Sequence, residues 1–179
     1  KNKIISKITG FLDEGLTYNP DGLIPLPEFL KSEIFQLSCD SYAGEDHFKG
    51  KIGKTDIEFC EINAKHKNTS SSGSSQKDEY VSIFSGLFII ADFNKNFRTR
   101  TIVLPDTAEK LFGKFGQTLQ SISMGRGKLV RLEDPVFEKE FCVYGDDQVE
   151  ARYILTPALM ERIVAFKRKW NKRISLSFI

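Results

Sequence analysis

Apolar residues along the chain change their spacing several times, and each change predicts an element. Ile4, Ile5, Ile8, Phe11 and Leu12 recur at helical intervals, with Lys3, Lys7, Asp13 and Glu14 on the other side, so a short amphipathic helix is expected before Gly15. Tyr18 to Gly22 carries turn chemistry. Pro27 opens a second helix with Leu30, Ile34 and Leu37 as its inner face.

From His47 the pattern alternates. Strands 48–52 and 55–63 flank Gly53-Lys54, a two-residue hairpin turn. The polar stretch 65–78 lacks the apolar side chains that offset ordering entropy, which predicts a mobile surface loop. Residues 79–93 are apolar on both faces through Leu87 to Ile90, as a central strand is. After a turn at 94–96, residues 98–104 return as a half-exposed strand.

Asp106 and Glu109 form a capping signal for a short helix that Gly113 ends. The stretch 116–127 is poorly patterned, and 128–132 reads as a short strand. Asp134-Pro135 caps and starts a helical turn, 141–144 is a strand, and Asp147 with Glu150 is a second capping pair. Thr156-Pro157 starts the clearest helix, with Leu159, Ile163, Phe166 and Trp170 along one face. Residues 174–179 form a last strand whose edge could pair with a partner. Adjacent hairpins with helices at the ends predict an α+β fold, a largely antiparallel sheet with amphipathic helices packed on it, in a single domain over 1–179.

Composition narrows the functions. Fifteen Phe residues can build a core without staples, and 26 Lys plus Arg against 24 Asp plus Glu gives a net charge of +2, too small for a nucleic-acid binder. Cys39, Cys60 and Cys142 are odd in number and widely spaced, which argues against disulfides and a thiolate metal site and for thiols in a reducing compartment. No run is long and apolar enough to span a bilayer.

Several phrases carry a family resemblance: Ser41-Tyr-Ala-Gly-Glu-Asp46, the run from Phe84 to Asn94, the run from Leu132 to Glu138, and above all the run from Val143 to Pro157, whose continuation to Met160 is the most specific part. From roughly the second helix to the C-terminus the chain resembles the bacterial family catalogued as domain of unknown function 3137. The resemblance implies a soluble C-terminal domain of a membrane-anchored protein, preceded by a helical segment and a pair of transmembrane helices. Two crossings would place the domain on the cytoplasmic side, in agreement with the thiols. The chain, which starts at Lys1, is then expected to be a piece of a longer protein. The family brings no activity and no catalytic residues.

The candidate chemistry is sparse. Glu45 and Asp46 beside His47 could do acid–base work or hold a divalent ion, against the plainer reading of a solvated turn. Asp146, Asp147 and Arg152, near Glu150, form a second weak catalytic candidate whose plainer role is capping and pairing. Cys142 has apolar neighbours and lacks the cation that lowers a thiol pKa. Gly125-Arg126-Gly127 with Lys128 and Arg131 could cradle a phosphate, or form a simple turn. Lys167, Arg168, Lys169, Lys172 and Arg173 could complement the helix dipole or attract an anionic membrane surface. No metal site and no cofactor is predicted. The expected function is that of a membrane-tethered cytoplasmic module binding a protein, a small ligand or lipid. The alternatives are a hydrolase-like enzyme using the acidic residues, with or without a divalent metal, and an assembly domain.

Overall fold

The computed structural model describes residues 15–72, 75–106 and 125–179, with the side chains of 69–77 left aside. The expected helices at 4–12 and after Asp106 lie outside the described residues. The fold is α+β and antiparallel, as the hairpin pattern predicts, but the described residues form two sheets where one was expected. The chain divides into two compact units, 1–31 with 35–95 and 32–34 with 96–179.

In the first unit, β1 (Leu16–Asn19), β2 (Ser41–Ile52), β3 (Thr55–Ser72) and β4 (Ser75–Ala91) lie side by side in chain order. Gly53, at φ +60°, makes the expected tight turn between β2 and β3, where a side chain would be strained. Alternation sends Cys60, Ile62 and Ala64 of β3 to one face. There the helix α1 (Leu26–Lys31) inserts Phe29, and not the expected Leu30, which is 43% exposed. Phe29 lies with ring centroids 5.0 Å from Phe35 and Phe88 and 5.4 Å from Tyr42. The helix ends at Lys31, so Leu37 never joins its inner face and is exposed.

Two expectations change here. The described part of the stretch 65–78, residues 65–72 and 75–78, is strand by its backbone and not loop. It extends the β3–β4 hairpin, paired from Lys65↔Ser82 to Ser72↔Ser75. Composition alone misses this because the ladder bonds backbone groups regardless of side chain, and the paired inner half fixes the register. The Asp40 carboxylate also holds the Lys67 N–H at 2.8 Å. Moreover, β4 is an edge strand and not a central one, since Leu87 and Ile89 are 55% and 50% exposed.

The second unit orders its strands β6 (Lys128–Val130), β7 (Phe141–Gly145), β5 (Thr101–Pro105) and β8 (Leu176–Phe178), all antiparallel. Thus β5 does not return against β4, and all five of its residues are buried. The helices α2 (Pro135–Glu138), α3 (Gln148–Ile154) and α4 (Pro157–Trp170) accompany this sheet. Their caps follow the sequence: Asp134, Asp147 and Thr156 each accept N–H groups of the first turn. Met160, Ile163 and Val164 form the buried stripe of α4, packed in one cluster with Val103, Val143 and Phe178. Phe166 and Trp170, expected on that stripe, point to solvent and are 54% and 56% exposed.

Candidate functional site

The ionisable groups come first, because an enzyme would need them to converge. A β-bulge between Glu45 and Phe48 separates Glu45, Asp46 and His47. Asp46 takes the left-handed conformation at φ +56°, and its N–H donates to Pro20 O at 3.0 Å. The three side chains then serve different ends. The Tyr18 hydroxyl donates to Asp46, and that bond, with burial, pushes the Tyr18 pKa up to about 12. The His47 ring lies 2.7 Å from Glu58, on the opposite side of the sheet from Glu45, whose direct partner is Glu61. Burial works to raise the Glu58 pKa, but the hydrogen bonds of Lys49 and His47 outweigh it and hold the carboxyl below its ordinary value.

Ser38, His66 and Asp40 have the composition of a hydrolytic triad without its geometry. The Ser38 hydroxyl and the Asp40 carboxylate lie 3.0 and 2.9 Å from the same ring nitrogen, Nδ1 of His66. A relay needs one partner on each nitrogen. Asp40 acts as a clasp, its pKa lowered first by the Lys67 N–H.

In the second unit Asp147 caps α3, and Asp146 pairs with Arg100 at 3.3 Å. Arg152 donates to Arg131 O at 3.1 Å, and no carboxylate of the described residues pairs with it. Glu150 does not close the expected capping box. It reaches instead to the N–H groups of Arg98 and Thr99 at 2.8 and 2.7 Å and to the Thr99 hydroxyl. The Thr99 hydroxyl bond is the main cause of its lowered pKa. Sequence reading misses this clasp because its partners are 51 and 52 residues away.

The Gly125-Arg126-Gly127 motif is structural. Arg126 is 8% exposed and donates to Ile34 O at 2.7 Å, with burial lowering its pKa. Gly127, at φ +85°, backs so closely onto Gly145 that a Cβ would sit 2.6 Å from its carbonyl. Cys142 donates its S–H to Asp106 at 3.7 Å, beside a hollow of about 70 Å³ also lined by Arg131 and Glu138. Small-molecule pockets run from about 300 to 1,000 Å³, so this hollow is far too small for one. Among the described residues no group of His, Cys, Asp and Glu is arranged to hold a metal ion.

The remaining candidate is the cationic end of α4, which the structure divides in two. Lys167 bonds the Glu140 carboxylate at 2.7 Å and its carbonyl at 3.1 Å, and lies 4.7 Å over the Phe141 ring. Arg168 binds the other Glu140 oxygen at 3.2 Å. Lys167 first and Arg168 second hold the Glu140 carboxyl below its ordinary pKa. These two cations fasten α4 to the chain just before β7. Lys169, Lys172 and Arg173 are exposed, and among the described residues no carboxylate pairs with them as Glu140 does with Lys167 and Arg168. Lys169 lies 5.5 Å over the Trp170 ring, which is 6.3 Å from Phe166. The aromatic pair was missed because its spacing also fits the buried face of a helix. Asn171, at φ +47°, ends the helix and leaves Lys172 and Arg173 beyond it.

No helix of the described residues is long and apolar enough to cross a membrane. No curated protein and no solved structure matches the chain. The family resemblance of the sequence is shown from within β4 onward, a shorter span than the quoted phrases suggested. Residues 82–179, more than half of the chain, match the family model described as protein of unknown function (DUF3137), and the chain belongs to that family.

Proposed function

We propose that this is a non-catalytic binding domain of a membrane-anchored protein, lying on the cytoplasmic side and touching anionic lipid head groups with the end of α4. One observation carries this reading: Phe166 and Trp170 stand exposed among Lys169, Lys172 and Arg173. The amphipathic Trp170 ring favours the head-group layer, Phe166 adds apolar area beside it, and each Lys or Arg near an anionic surface adds about 1 kcal/mol. A tether would raise the local lipid concentration, so a small patch suffices. The cysteines form no disulfide, which accords with a reducing compartment. Of the acidic groups of an enzyme reading, Asp46 bonds Tyr18, Asp146 pairs with Arg100 and Asp147 caps α3, while Glu45 stands apart opposite Glu61, and the hollow beside Cys142 holds no substrate-sized ligand.

Vesicle flotation tests the reading. The chain should float with phosphatidylglycerol vesicles and not with pure phosphatidylcholine. Reversing Lys169, Lys172 and Arg173 to Glu should weaken partition on the order of 100-fold. Lys167 and Arg168 are left intact because they hold Glu140. Equal flotation of the reversed and original chains refutes the proposal.

A further inference from the structure

The outer face of the first sheet carries apolar surface that its own core does not use. Strand alternation sends Ile57, Phe59 and Glu61 of β3 away from the core cluster that holds Cys60 and Ile62. On that outer side Tyr18, Phe48, Phe59 and Ile89 are successive partners, one from each of the four strands. The Tyr18 and Phe48 rings are 4.7 Å apart, as are those of Phe48 and Phe59. The row ends at the edge strand, where Ile89 and its face-mate Leu87 are half exposed. Alongside runs a second row, Glu45, Glu61 and Leu87, which are again direct cross-strand partners. Glu45 and Glu61 are both exposed, and like charges directly opposite destabilise a sheet. A polar face would serve the fold better on both counts.

We propose that this face docks a cationic amphipathic helix of a partner protein. The apolar side of the helix lies against Phe59, Leu87 and Ile89, and its Lys or Arg side chains lie over Glu45 and Glu61. Charge complementarity selects this occupant. Anionic lipid would be repelled by Glu45, Asp46 and Glu61, and an uncharged apolar segment would leave the Glu pair opposed. A second copy presenting the same face would add further carboxylates. A helix about 10 Å across covers the three adjacent strands, spaced about 4.8 Å, that carry these residues.

The probe is a fluorescently labelled 14-residue model peptide with Leu on one helical face and Lys on the other, titrated against the chain by anisotropy. Its counterpart replaces every Lys with Glu. The Lys peptide should bind and the Glu peptide should not. The E45Q/E61Q variant, which removes a repulsion and so keeps its fold, should bind the Lys peptide at least tenfold more weakly. L87S/I89T should weaken it comparably with an unchanged circular dichroism spectrum. Charge reversal at Lys169, Lys172 and Arg173 should leave this binding unchanged, which separates it from the lipid contact. Unaltered affinity in E45Q/E61Q, binding of both peptides alike, or no binding of the Lys peptide each overturns the proposal. So does light scattering that shows a dimer abolished by L87S/I89T, which would give the face to a second copy.

Discussion

In the first sheet β3 alternates, with one face under Phe29 and the other, among the described residues, left without a covering element. In the second sheet every residue of β5 is buried, and three helices supply aliphatic and aromatic partners. The two sheets teach how to read an exposed apolar side chain. Where a strand is buried throughout, apolar residues on both faces are explained by packing. Where it alternates, apolar residues on the outer face are not, and the half-exposed Leu87 and Ile89 call for a second explanation. The end of α4 makes the same point for helices, since its core stripe is complete without Phe166 and Trp170.

If one ring anchors the first core, Phe29→Ala should cost about 3–5 kcal/mol in chemical denaturation. Amide spectra should show the loss concentrated in 16–91, while Ile163→Ala, costing about 2–5 kcal/mol, should act in 96–179. Equal, global effects of both would contradict two separate cores.

Asp40, Glu58, Glu140 and Glu150 all have lowered pKa values in the folded chain. The unfolded chain therefore binds protons first as pH falls, so their stabilisation is present at neutral pH and is lost as pH drops through and below the ordinary carboxylate range. Thermal melts from pH 7 to 3 should show a falling midpoint, with a shallower fall in Glu150→Gln, whose neutral form has already lost the charged clasp on Arg98 and Thr99. An identical slope in that variant would remove Glu150 from the account.

The smallest effect concerns the open face. Relieving the Glu45–Glu61 opposition by Glu61→Gln should raise stability by about 0.2–1 kcal/mol in urea unfolding. A loss of stability would mean that Glu61 is held by an attraction and would weaken the docking argument.

Local chemistry was legible in the sequence, and long-range partnership was not. The Gly53-Lys54 turn and the caps at Asp134, Asp147 and Thr156 depend on residues within a few positions, and each is where its motif places it. The partner of β5 is set by β7 and β8, about 40 and 75 residues on, which no periodicity records. Helix phase failed for a different reason. In α1 and α4 apolar residues occupy two adjacent stripes, and only the tertiary neighbours choose Phe29 over Leu30 and Met160 over Phe166. The cationic run was visible, but its division into a Glu140 clamp and an exposed remainder depends on where Glu140 lies.

Trp170 is the only tryptophan of the chain, so its fluorescence reports on the proposed lipid contact without a label. On titration with phosphatidylglycerol vesicles its emission should shift to the blue and be quenched by lipids brominated near the head group, with both changes lost in high salt. Emission that stays at its aqueous wavelength with saturating anionic vesicles would contradict the account.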